Sequence, residues 1–132
     1  MYKRQVLLAD AAEAAGVRRY VMISSMGADS EAADEGGDPV FVAYLRAKGA
    51  ADDDVRSRSG LDATIVRPGH LTDEDPTGLV HIADDTGHGS IPRADVAAVL
   101  LTVLDTPTTA GLTFELISGQ TPIAIALATP PD

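Results

Sequence analysis

Tyr44 and Lys48 bracket the run Tyr44-Leu45-Arg46-Ala47-Lys48, a Y-x-x-x-K. On a helix, a spacing of four stacks both side chains on one face. A lysine ammonium beside a phenol favours the phenolate, drawing the pKa below its ordinary value of about 10. Such a tyrosine can exchange a proton with a carbonyl or an alcohol near neutral pH. Ser24 and Ser25 add hydroxyls at the C-terminal end of an apolar run, the end of a strand at which open α/β sheets hold ligands. The same residues also fit a plain amphipathic helix with a solvated lysine.

Other groupings carry less chemistry. His70, His81 and His88 stand among Asp73, Glu74, Asp75, Asp84 and Asp85. Their spacings match neither H-E-x-x-H nor a calcium loop, so no metal site is expected there. Asp52-Asp53-Asp54 reads as a solvated helix face, and Arg18-Arg19 as an exposed strand entry. The close G-x-G, Gly87-His88-Gly89, follows a loop and has Pro92 where a third glycine would stand. A pyrophosphate-holding turn needs that glycine, preceded by a strand and followed by a helix.

Positioning these residues requires alternating helices and strands, the pattern of a parallel α/β sheet. A helix is expected over 6–15, stopped by Gly16. Residues 18–25 (RRYVMISS) read as a strand buried on both faces. Residues 29–38 hold five acids and no base, and read as a solvated loop. Asp38-Pro39 is a capping residue followed by a first-turn proline, opening a helix to about Ser59 that contains Tyr44 and Lys48. ATIVR, 63–67, is the next strand, closed by Pro68-Gly69. Residues 70–92 read as irregular, with a short extended piece at 79–83. The helix over 94–105 carries Val96, Val99, Leu100, Val103 and Leu104 at helical spacing. A strand over 112–117 and a short helix after Thr121-Pro122 complete the chain.

The 132 residues suit one domain or part of a larger one. The absence of cysteine excludes disulfides, thiolate zinc sites and a cysteine nucleophile. A net charge of −10 opposes binding to phosphate backbones, so no nucleic-acid partner is expected. No apolar run reaches the roughly 18 residues that span a bilayer. The expected setting is soluble and cytoplasmic, with no membrane partner.

The blocks GVRRYVMISSMGAD (16–29), YLRAKGAADDDVRSRSGLDATIVRPG (44–69), IPRADVAAVLLTVLD (91–105) and LTFELISGQTPIAIALA (112–128) together resemble the short-chain dehydrogenase/reductase superfamily. The likeness is to its atypical NAD(P)-binding branch of NmrA-like and sugar-epimerase-like proteins, and it spans nearly the whole chain. It implies a Rossmann-like fold, an NAD or NADP cofactor, and oxidation or reduction of a small carbonyl or alcohol. By the same resemblance, Ser24 or Ser25 matches the substrate-positioning serine, and Ser24 a cofactor contact. Tyr44 matches the proton donor, and Lys48 its partner and ribose ligand. Arg67, Pro68 and Gly69 match the stretch beside the nicotinamide. Asp95 falls in a block that looks structural, as a cap of its helix.

The chain departs from the family in its acidic insert between Ser25 and Tyr44, and residues 1–5 fit the pattern poorly. It also lacks the opening strand and glycine-rich turn. The expectation is therefore a partial doubly wound sheet, about three parallel strands with helices on both faces, with the first nucleotide-binding half missing. On this reading residues 1–132 are the C-terminal half of one Rossmann-like domain. The rival reading is a non-catalytic NAD(P)-binding regulator of the NmrA type. Two expectations follow: weak or absent dinucleotide binding by this chain, and self-association through an exposed sheet edge.

Overall fold

A computed structural model describes residues 2–32 and 37–128, apart from the side chain of Tyr2. Its elements run α1 (Tyr2–Ala14), β1 (Arg19–Ile23), α2 (Pro39–Arg56), β2 (Asp62–Pro68), β3 (His70–Thr72), β4 (Leu79–Ala83), β5 (Ser90–Pro92), α3 (Arg93–Leu104), β6 (Thr113–Ser118), β7 (Thr121–Pro122) and α4 (Ile123–Ala128). The main sheet has the order β1-β2-β6-β4-β7. Its first three strands are parallel, as the alternating sequence predicts. β4 and β7 add antiparallel strands at the far side, and β3 pairs with β5 in a separate two-stranded sheet. The extended piece expected at 79–83 is thus a full sheet member. Of the acidic loop expected over 29–38, residues 33–36 lie outside the described residues.

Strand alternation sorts side chains into two apolar layers. Tyr20, Met22, Ala63 and Ile65 face α1 and α2, packing with Ala9, Ala51, Val55 and Leu61. Val66, Val80, Phe114 and Leu116 face α3 and α4, packing with Val96, Val99, Val103 and Leu127. Helices therefore cover both faces. β2 lies between two neighbours and is the strand buried on both faces, whereas β1 alternates buried with half-buried residues and ends on exposed Ile23. This corrects the reading of residues 18–25. The cause is position: β1 is an edge strand, with no strand on its outer side among the described residues.

Two arginines fasten the layers. The Arg19 guanidinium donates to the Asp62 and Val103 carbonyls and to the Thr64 and Thr109 hydroxyls, at 2.8–3.0 Å. It is a half-buried staple between β1, β2 and the end of α3, and its desolvation lowers its pKa. Arg58 pairs with Asp10 and Glu13 of α1 and with Asp54 of α2 at 2.6–2.9 Å. Those hydrogen bonds, Glu13 first, raise its pKa. Arg19 and Asp54 are thus drawn into the framework, whereas Arg18 and Asp53 remain on the exposed surface as expected.

Candidate active site

Ser24 and Ser25 sit just past β1. The amide of Ser24 donates to the Val66 carbonyl at 2.7 Å and that of Met26 to the Pro68 carbonyl at 3.1 Å, so the chain still tracks β2 beyond the strand's end. The residues that follow cross over into α2. The Asp38 carboxylate accepts from the Val40 amide at 2.9 Å and Pro39 opens the first turn, as the sequence predicts. α2 ends at Arg56, three residues before the predicted Ser59.

α2 then carries Tyr44 and Lys48 past the ends of β1 and β2. Ser24, Ser25, Tyr44, Lys48, Pro68 and Gly69 line one cleft of about 620 Å³, with Ile23, Asp38, Phe41 and His70 at its walls. The Lys48 ammonium lies over the Tyr44 ring, 5.8 Å from its centroid. One turn back, the Phe41 ring stacks on Tyr44, with centroids 6.2 Å apart and planes inclined by 17°. Phe41, Tyr44 and Lys48 form a ladder along one face of the helix, the geometry that i, i+3 and i+4 spacing imposes.

The two serines differ. Ser25 is half-buried, and its hydroxyl lies 3.2 Å from the Met26 carbonyl, to which it donates. Ser24 is buried, and its hydroxyl donates to the Asp52 carboxylate at 2.8 Å. The Arg67 guanidinium donates to the same carboxylate oxygen through Nε at 3.0 Å and Nη2 at 2.8 Å. Arg67 is therefore turned away from the cleft. It lines a neighbouring polar hollow with Arg56, Asp53 and Glu115.

Asp52, fully buried, is the residue that the sequence reading missed; it is no part of a solvated face. The signal was present in the helical phase. Val42, Gly49, Asp52 and Val55 fall on one stripe of α2, and all four are buried. Its neighbours do face water: Asp53 pairs with Arg56 at 2.6 Å, and that hydrogen bond foremost holds its carboxyl below the usual range. A buried carboxylate survives because a guanidinium and a hydroxyl compensate it. It locks the ends of β1 and β2 to α2 directly beneath the cleft.

Gly69 has a packing requirement of its own. A Cβ there would lie 2.3 Å from the Gly89 carbonyl oxygen, so only glycine fits against the segment that enters β5. The amide of the next residue, His70, donates to that same oxygen at 3.0 Å. Asp95 does not cap its own helix. Its carboxylate accepts from the amides of Thr77 and Gly78, at 3.0 and 2.9 Å, and pins the turn that leads into β4. His70, His81 and His88 are exposed, and no group of three or more potential metal ligands occurs among the described residues.

One end of a nicotinamide dinucleotide matches the chemistry of this cleft. Residues suited to its ribose and nicotinamide end share the cleft: a lysine, a tyrosine, a serine hydroxyl and a backbone turn without a side chain at Gly69. They fit that end of the cofactor. Among the described residues no helix of α1–α4 is preceded by a strand and a glycine-rich turn of the kind that holds a pyrophosphate.

The comparisons agree with the geometry. A family model described as NAD(P)H-binding matches residues 2–107, so the first turn of α1 falls inside the match despite its poor fit to the pattern by eye. A Bacillus subtilis protein named as an uncharacterized sugar epimerase, YhfK, is 40% identical over 118 residues, covering 89% of this chain and 53% of its own. A Bacillus halodurans structure, described provisionally as an NAD-dependent epimerase/dehydratase, superposes with a TM-score of 0.84 at 39% identity, over 94% of this chain and 57% of the other. ChuY from Escherichia coli O157:H7, named an anaerobilin reductase, superposes with a TM-score of 0.78 at 30% identity, over 89% and 58% of the two chains. The chain spans about half the length of the curated relatives it matches. No helix among the described residues is long and apolar enough to cross a membrane. Carrying the ladder of Tyr44 and Lys48 at the strand ends of a Rossmann-like sheet, the chain belongs to the NAD(P)H-binding family.

Proposed function

We propose that this chain forms the substrate side of an NAD(P)-dependent oxidoreductase acting on a small carbonyl or alcohol. The observation that carries the reading is the meeting of Ser25, Tyr44, Lys48 and Pro68-Gly69, from three separate segments, around one cleft. When bound there, NAD(P)H supplies a hydride to the carbonyl carbon. Tyr44 gives its phenolic proton to the carbonyl oxygen, which becomes the alcohol; in the reverse direction it takes that proton back. Ser25 donates a hydrogen bond to the same oxygen and fixes its orientation. Lys48 holds the ribose hydroxyls and keeps a positive charge beside the phenol. Ser24 and Arg67 act from below through Asp52, which ties the ends of β1 and β2 to α2 under the cleft, and Pro68-Gly69 would border the nicotinamide. A cytoplasmic setting belongs to the same proposal.

The names of the relatives divide between epimerase and reductase. The test is hydride transfer from NADPH and NADH to a panel of carbonyl compounds. It is run on the chain fused to the part of the Bacillus subtilis relative that it does not match. Turnover that depends on Tyr44 supports the proposal. Dinucleotide binding without turnover on any substrate favours the rival reading, a non-catalytic NAD(P)-binding regulator of the NmrA type.

A further inference from the structure

Phe41 is out of place for a structural residue. It is a large apolar side chain, 56% exposed, on the first turns of a helix whose Ala51 and Val55 pack on the sheet. Its neighbour Val40 is 77% exposed. Neither belongs to the two apolar layers that hold the fold together. Adjacent exposed apolar residues beside a concave site are the surface from which ligand-binding grooves are built.

Its position gives the ring a task. Phe41 lines the cleft of Tyr44 and Lys48, and it also lines a second, mostly apolar hollow of about 560 Å³ with Met26, Leu45 and His88. Ser25, Pro68, Gly69 and His70 border both, so the two hollows form one groove with the Phe41 ring between them. Tyr44, which lines the same cleft, stacks against the ring at 6.2 Å and 17° and fixes the ring plane. Pro68 and Gly69 border the same groove, the bare Cα of Gly69 being turned to the Gly89 carbonyl and Ile117 rather than to the groove. The fixed aromatic face is therefore the flat surface the groove offers.

From this we infer that Phe41 is the specificity-determining residue of the groove, a stacking platform for a planar, conjugated or aromatic carbonyl compound. Such a molecule lays its π-face on the ring and directs its oxygen towards Tyr44 and Ser25. A saturated compound of equal size fills the same volume but lacks the quadrupole match that aromatic pairs exploit. The inference rests on the oxidoreductase reading for the role of the carbonyl, and adds the class of molecule that bears it.

The test is a titration of the 132-residue chain, without dinucleotide, followed by amide chemical shifts in NMR. The probes are methyl 2-naphthyl ketone and its fully saturated decalin counterpart. The naphthyl ketone should shift the amides of Phe41, Tyr44 and Gly69 and bind about threefold to tenfold more tightly than the saturated ketone, the range of one aromatic pair. Phe41→Leu, which retains apolar bulk, should abolish that preference, the two ketones then binding with equal affinity. Circular dichroism confirms the fold of the variant. Equal affinities for the two ketones, binding of neither, or a preference that survives Phe41→Leu would each overturn the inference. The cofactor is absent from the titration, so a failure of hydride transfer in the fused protein leaves this result standing, and the converse also holds.

Discussion

At the residue scale, Tyr44 and Lys48 should behave as one unit in the fused, dinucleotide-loaded protein. Tyr44→Phe removes the transferable proton but keeps the ring that stacks on Phe41. Turnover should fall about 10²–10⁴-fold, the contribution of a positioned general acid. Lys48→Met retains the aliphatic stem and should raise the KM for the dinucleotide as well as lower turnover. The double variant should be little worse than Tyr44→Phe, because groups acting together are non-additive. Steady-state kinetics of the three variants decide; a Tyr44→Phe protein with most of its turnover makes Tyr44 a helix residue only. Tyr20 supplies an independent prediction. Its hydroxyl is buried without a hydrogen-bond partner, and burial, opposed by Arg58 and reinforced by Asp54, raises its pKa. The unfolded chain therefore ionises this phenol first, near pH 10. The stability due to the neutral phenol is complete below that pH and is lost as the pH climbs through the higher folded value. Tyr20→Phe should leave stability at pH 7 unchanged or raise it by up to about 1 kcal/mol. It should also flatten the decline above pH 10. Urea midpoints from pH 7 to 11 measure both, and a decline as steep as the parent's contradicts the assignment.

At the scale of elements, the packing of α2 depends on Gly49. A Cβ there would sit 2.2 Å from the Ser30 amide nitrogen and 2.3 Å from the Asp29 carbonyl carbon. The Asp29 amide donates to the Leu45 carbonyl at 3.0 Å, so the post-β1 loop lies directly on the helix. Gly49→Ala gains about 1 kcal/mol of helix propensity. Overpacking against backbone costs about 1–3 kcal/mol, and the backbone cannot swing aside as a flexible side chain can. With both contacts to backbone the cost falls at the upper end of that range, and the expected outcome is a net loss of about 2 kcal/mol in denaturant unfolding; a neutral or stabilised variant would show that the loop yields freely. This contact also marks how far the sequence could be read. The Asp38-Pro39 entry, the helix of Val96, Val99 and Val103, and the three parallel strands were legible because each rests on local chemistry or on a regular period. Gly49 was not, because a glycine in a helix states nothing about which distant backbone approaches it. Asp52 was half legible. Its phase on α2 pointed inward, but the run of three aspartates concealed it, and its partners Ser24 and Arg67 lie 28 and 15 residues away. The grouping of Ser25, Tyr44, Lys48, Pro68 and Gly69 was anticipated from resemblance. The inward turn of Arg67, away from the cleft, followed only from the buried carboxylate that captures it.

At the scale of the whole molecule, the main sheet leaves an edge open at β1 among the described residues. The outer edge of β1 exposes its backbone between α1 and α3, along a hollow lined by Leu8, Leu100 and Leu104. The chain by itself should bind NADPH and NADH weakly, since its cleft offers groups for the ribose and nicotinamide end and the sequence holds no glycine-rich turn for the pyrophosphate. A micromolar dissociation constant by calorimetry would refute this. The same open side bears on association. An unpaired, largely apolar strand edge is a template for another strand, and β1 offers Tyr20, Val21, Met22 and Ile23 of it, beyond the half-buried charge of Arg19. Against this stands the net charge of −10, which makes two copies repel at a distance. The two effects differ in range. Charge repulsion is cut off beyond a Debye length of about 10 Å at 0.1 M salt and about 3 Å at 1 M, whereas strand pairing and apolar contact are untouched by screening. Self-association through β1 should therefore grow as salt is added. Light scattering at about 0.1 mM protein, from low salt to 1 M, reads it directly. Replacing Met22, whose side chain points into the α1–α2 layer, would disturb the core. Ile23→Lys instead sets a charge on the exposed end of the edge strand, and it should restore the monomer. A monodisperse monomer at every salt concentration would show that the twist of β1 and the helices flanking it are sufficient to close the edge.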